Sequence, residues 1–180
     1  FAADYYVETT GSNVTGNGTA ANPWQTINYA ISNAAAGDVI HIGSGQFAEQ
    51  VEVSKNLTLI GNGIDQPTII SPATLSQSFY LVFVSQWFYS LVYVHDASSV
   101  TIKKLTVDGN GNGDAHAGFI GVSYRNAGGQ LDSARVVSII NNPPYTSEFG
   151  YSVFAMADNS VSRTVTVSNS DFITFQKTAL

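Results

Sequence analysis

His95, Arg125 and Asp158 are the residues of this chain whose types and placement come nearest to a reactive group. Each closes a strand-like run, and sliding those runs over one another makes the three neighbours: a base, a cation and a carboxylate in a row, as proton transfer requires. An exposed Arg–Asp pair beside a solvated His is the more ordinary meaning of the same pattern, so no residue is assigned as catalytic. A second set is Asp108-Gly-Asn-Gly-Asn-Gly-Asp114. It places the oxygen donors Asp108, Asn110 and Asn112 at alternate positions, with Gly113 at the sharp turn and Asp114 after it, as in the first half of a calcium loop. Position twelve is Phe119 where a bidentate Glu is needed, and Gly61-Asn-Gly63 repeats the turn without an acid. The expectation is no cofactor, with weak Ca²⁺ binding as the exception. His116 reads as a loop residue, and His41 lies on an alternating strand.

Aromatic residues form the third set. Phe79, Tyr80, Phe83, Trp87, Phe88 and Tyr89 crowd into eleven positions, and Tyr145 and Phe149 flank an Asn-Pro-Pro loop. The first group either folds back as a hairpin on a wall of the molecule or forms an apolar patch for binding or assembly.

These residues need elements to position them, and the chain repeats itself to supply those. Val51-Glu-Val-Ser-Lys-Asn-Leu-Thr-Leu-Ile-Gly-Asn-Gly63 nearly matches Val100-Thr-Ile-Lys-Lys-Leu-Thr-Val-Asp-Gly-Asn-Gly111, with weaker copies at Ala134 and Val165. Recurring alternation broken by Gly, Asn and Asp turns predicts an all-β chain wound as a solenoid of parallel coils, in which Val51, Val100, Ala134 and Val165 form one inward column. The same stacking aligns Asp96, Asn126 and Asn159 as a structural ladder of polar turn residues. From Pro23 to Ala36 the apolar period changes to that of a helix, which is placed to cap the first coil. The reading is a single domain over 1–180: strand, loop and capping helix in 1–38, coils in 39–180, an aromatic insertion at 77–90 and a loop at 141–150.

Charged residues make up 11% of the chain, the net charge is −6, and seven Lys and Arg are scattered along it. That excludes a nucleic-acid partner, whose phosphates require clustered cations. The absence of Cys removes thiol and disulfide chemistry, and no membrane span is expected. Phe1-Ala-Ala-Asp has no basic or apolar leader, so a signal peptide is taken to have been removed and the chain to be secreted or on a cell surface. Asn13, Asn17 and Asn56 each begin a glycosylation sequon.

Tyr5-Tyr-Val, Gly11-Ser-Asn, Asn22-Pro-Trp-Gln-Thr-Ile27, Ala36-Gly-Asp-Val-Ile-His-Ile42, Gly45-Gln-Phe47 and Leu57-Thr-Leu-Ile-Gly61 resemble the N-terminal cap and first coil of pectin-lyase-like proteins. The resemblance implies a right-handed parallel β-helix with one N-terminal capping α-helix. It extends to polysaccharide lyases, NosD-like proteins and surface proteins, so it does not fix an activity. Lyases of that fold use a Lys or Arg base beside Ca²⁺-binding acids, and neither they nor the fold's paired-Asp glycosidases have a matching cluster here. The functional expectation is a non-catalytic extracellular module for adhesion, glycan contact or self-assembly, through the aromatic insertion or an open C-terminal coil. The alternative is the N-terminal portion of a polysaccharide lyase acting on a uronate-containing polysaccharide.

Overall fold

The computed structural model describes residues 1–63, 65–140, 150–158 and 160–177. The chain runs β1 (Asp4–Val7), α1 (Ile27–Asn33), β2 (Val39–Ile42), β3 (Gln46–Ala48), β4 (Val51–Val53), β5 (Thr58–Gly61), β6 (Thr68–Ile70), β7 (Phe79–Leu81) and β8 (Gln86–His95). It continues through β9 (Val100–Lys103), β10 (Thr106–Asp108), β11 (Phe119–Arg125), β12 (Gly129–Asp132), β13 (Arg135–Ile139), β14 (Gly150–Met156), β15 (Val165–Ser168) and β16 (Asp171–Phe175). Three sheets result. The first is β1-β2-β5-β9-β12-β15, the second β3-β6-β10-β13-β16 and the third β4-β8-β11-β14. All their pairings are parallel; the one antiparallel pair among the described residues is β7 with the start of β8. The chain is a parallel β-helix in which four successive coils each give one strand to each sheet, with β1 before them and β15 and β16 after them.

Alternation decides which side chains fill it. Ile40 and Ile42, Leu59, Ile102 and Leu131 point inward from the first sheet. Phe47, Ile69, Val107 and Val136 do so from the second, and Val51, Val92, Val122 and Val153 from the third. Burial of this continuous column is the main stabilising term, at roughly 25 cal/mol per Å² of apolar area.

The expected column of Val51, Val100, Ala134 and Val165 is not what forms. Val51 stands opposite Val92 in the third sheet. Val100 and Val165 share a column in the first sheet through Gly129, and Ala134 is a corner residue before β13. The true match of the near-repeat is Thr58-Leu59-Ile60 on Thr101-Ile102-Lys103. Every strand carries the same alternation, so pattern alone does not say which sheet a strand joins; the corners do. At the corner before β12, a Cβ on Gly129 would lie 1.9 Å from the Val100 carbonyl oxygen, and Gly129 has φ 149°. Only glycine fits that approach.

The helix is shorter than expected. Trp24 instead pairs with β1, its N–H donating to Tyr6 O and its carbonyl accepting from Glu8 N. Ile27, Ala30 and Ile31 bury one face of α1 over the first coil. Thr26 makes no cap, and Glu49 from the next coil accepts from Ile27 N at 2.8 Å and Asn28 N at 3.0 Å, meeting donors that a helix start leaves open. Asp38 ties β1 to the helix end by accepting from Ala3 N and Ala35 N, bonds that lower its carboxyl's affinity for a proton. Among the described residues no helix is long and apolar enough to cross a membrane.

Candidate functional site

The outer face of the third sheet gathers the residues singled out for proton chemistry. Register places Arg125 of β11 beside His95 of β8 and opposite Met156 of β14. Asp158, just past β14, accepts from Arg125 Nε at 2.9 Å and from its Nη2. Desolvation acts to lower the Arg125 pKa; the bonds to Asp158 and to the Tyr93 hydroxyl outweigh it and raise it. The Arg125 guanidinium, and after it the Asn126 amide, holds the Asp158 carboxyl below the usual range. The guanidinium also lies 5.5 Å from the centre of the Phe79 ring.

His95 does not face Asp158. Its Nε2 is 2.8 Å from Glu52 Oε1 and its Nδ1 is 2.9 Å from Asp96 Oδ2. Carboxylates only accept, so both contacts form together only when both ring nitrogens carry protons. The imidazole stacks on Tyr93 with ring centres 4.5 Å apart. Burial raises the Tyr93 phenol pKa, and the bond to Arg125 opposes that.

Asp96 and Asn126 do occupy equivalent corners, both with φ 52°, and their amides donate to Arg125 O and Met156 O on the coil above. Their side chains differ in use. The Asp96 carboxylate turns to His95, and the Asn126 amide brackets Asp158, accepting from its N–H at 2.9 Å and donating to its carboxylate. Asn159 lies outside the described residues, as do Tyr145 and Phe149.

Beside this row is a cleft of about 310 Å³ lined by Asn28, Gln50, Glu52, Ser76, Gln77, Ser78 and Tyr93. Gln50 fixes its far wall: Oε1 accepts from Ser76 N at 2.7 Å, and Nε2 donates to Ser76 O and Ser90 O. Ser78 accepts from Ser90 N. His116, buried, anchors the same segment, accepting from Leu75 N at Nε2 and donating from Nδ1 to Asn112 O. Glu52, Ser76 and Gln77 line the cleft, and among the described residues the second oxygen of Glu52, the Ser76 hydroxyl and the Gln77 amide have no hydrogen-bond partner. Glu52 and Gln77 went unremarked in the sequence. Glu52 carried one signal, its outward place in Val51-Glu-Val53.

The aromatic insertion forms a hairpin on this sheet. Phe79 pairs with Phe88 and Tyr80 with Trp87, so alternation sends one pair inward and one outward. Phe79 and Phe88, expected at an interaction surface, are instead buried with Leu81, Tyr93 and Ile120 against Tyr151, Phe154 and Met156. Tyr89 is half-buried, its ring 4.9 Å from His116. Tyr80, Phe83 and Trp87 remain exposed, Phe83 by 78%, with Val82 and Val84 at the tip.

The calcium-loop residues serve turns. Asp108 accepts from Asn110 N, and Asn112 donates to Ser71 Oγ and Pro72 O, which directs it toward the 71–72 segment. Asp114 is exposed in a 3₁₀ turn. Among the described residues no three His, Cys, Asp or Glu side chains are grouped to hold a metal. His41 bonds Asp4 at 2.8 Å and stacks on Tyr6.

No family model and no curated protein sequence matches this chain. Solved structures do. The chain is similar to the GH136 lacto-N-biosidase from Eubacterium ramulus, with TM-score 0.67 and 15% identity in its selenomethionine form, covering 97% of this chain and 35% of that one. The native form gives 0.67, 14%, 96% and 34%. A pectin methylesterase in complex with hexasaccharide VII aligns at TM-score 0.44 and 13% identity, over 94% of this chain and 65% of that one. The chain thus spans about a third of the length of the lacto-N-biosidase, and at these identities the likeness is one of fold.

Proposed function

We propose that this chain contacts a neutral glycan through the cleft beside Glu52. The observation that carries the reading is what lines the cleft: a carboxylate oxygen, a hydroxyl and a primary amide without partners among the described residues, on a wall held by Gln50, with no Lys or Arg in the lining. Closely spaced sugar hydroxyls are both donors and acceptors, and this mixture satisfies both roles. The β-helix setting supports the reading, since the lacto-N-biosidase on the same fold is by its name an enzyme of glycans. A uronate-bearing chain fits less well. Its carboxylates would meet Glu52 and Asp96, and Arg125 is already engaged with Asp158, Tyr93 and Phe79. The reading is of contact rather than turnover, in a secreted or surface protein.

Titration calorimetry against neutral and uronate oligosaccharides tests it. Neutral ligands bind, and Glu52→Gln with Gln77→Ala lowers affinity at least fivefold without changing the unfolding temperature. Binding confined to uronates refutes the proposal. New unsaturated uronate ends that vanish in Arg125→Ala would establish a lyase instead.

A further inference from the structure

The outer face of the second sheet carries a shallow groove of about 580 Å³, lined from β3 to β16. Register sets Gln46, Thr68, Thr106, Arg135 and Asp171 in one outward column, one per coil. Beside it runs Ala48, Ile70, Asp108, Val137 and Ile173. The outer face therefore has a hydrogen-bonding rail and a largely apolar rail side by side over five strands, a length of roughly 20 Å at ordinary strand spacing, and the groove takes in the whole of the first rail with Asp108 and Val137 of the second.

The groups on the polar rail are mostly unspent. Gln46, Thr68, Arg135 and Asp171 have no side-chain partner among the described residues, and register neighbours Arg135 and Asp171 do not form an ion pair. The first sheet differs, because there Lys103 binds Asp132 at 3.1 Å and Asp132 accepts from Ser168 and Asn169. One wall of the groove is held by Gln66, which reaches across two coils to donate to Ser133 O at 2.9 Å.

We propose that this face is a binding track for an unbranched neutral glycan lying along the stacking direction. A pyranose ring is itself two-sided, with hydroxyl edges and C–H faces, and matches two adjacent rails of those kinds. One strand spacing is close to the advance of one sugar unit in an extended chain, so successive rungs meet successive units. Asp65, Asp108 and Asp171 against Arg135 leave the groove net negative, which disfavours uronate and sulfated chains. The track lies on a different sheet from the Glu52 cleft and does not depend on it.

The test is amide-resolved NMR of the full chain with cellohexaose, xylohexaose, laminarihexaose and a hexagalacturonate, and with the matching disaccharides. At least one neutral hexamer shifts amides in 46–48, 68–70, 106–108, 135–137 and 171–173, and binds at least tenfold tighter than its dimer. Thr68→Val with Arg135→Gln, both on the surface, abolishes that gain, while Glu52→Gln leaves it. No shift in these strands with any neutral hexamer overturns the proposal. So does equal affinity for dimer and hexamer, tighter binding of the hexagalacturonate, or loss on Glu52→Gln alone.

Discussion

Replacing Arg125 by Ala removes three interactions at once, and their sizes can be worked from the geometry. The bond to Asp158 is charge-assisted, worth about 1.5–3 kcal/mol when protected from water. Both side chains are about a third exposed, and solvent screening reduces the figure to about 1 kcal/mol. The guanidinium over Phe79 adds about 0.5–1 kcal/mol, and the Tyr93 hydroxyl loses its partner. The expected cost is about 2 kcal/mol, or about 4–8 °C in unfolding temperature for a chain of this size. Urea unfolding of wild type, Arg125→Ala, Asp158→Ala and the double variant separates the terms. The ion pair should appear as a coupling of about 1 kcal/mol, with the remainder in the Arg125 variant alone. Strict additivity of the two single costs would show that the pair contributes nothing, and a neutral Arg125→Ala would refute the account of this face.

Asp132 has its carboxyl held at about 2, first by Asn169 and Ser168 and then by Lys103. An unfolded Asp titrates near 3.9, so this stabilisation is complete above that pH and is lost as pH falls through about 2. Between pH 5 and 2 the denaturation midpoint of Asp132→Asn should fall less than that of wild type; parallel curves would contradict the assignment. In the hairpin, Phe88→Ala should cost about 3–5 kcal/mol, whereas Phe83→Ser with Trp87→Ser should stay within about 0.5 kcal/mol of wild type. Light scattering on the same variants tests assembly: self-association through the tip weakens in the double variant, and an unchanged monomer in both proteins removes it.

Strands were legible in the sequence because alternation is local, and so was the helix, whose period differs. What was not legible was assignment to sheets. β12 is an example: it begins at Gly129, which offers no side chain to the pattern, yet its place is dictated by the Val100 carbonyl. β3 and β16 are short or irregular in burial and gave little signal. That His95, Arg125 and Asp158 lie on successive coils was legible because His95 and Arg125 end neighbouring strands of one sheet and Asp158 lies two residues past the end of the third. The direction of the His95 ring was not, since Glu52, 43 residues away, sets it. The aromatic run announced an insertion, and only its strand pairing separates Phe79 and Phe88 from Tyr80 and Trp87.

The first coil returns to its starting sheet after 19 residues, Val39 to Thr58, and the second after 43, Thr58 to Thr101. The surplus leaves sideways as the hairpin and does not enter the pitch of the stack. Length added at such a corner is thus mechanically decoupled from the scaffold, so a foreign peptide spliced between Val82 and Val84 should be displayed outward while the coils on either side keep their spacing.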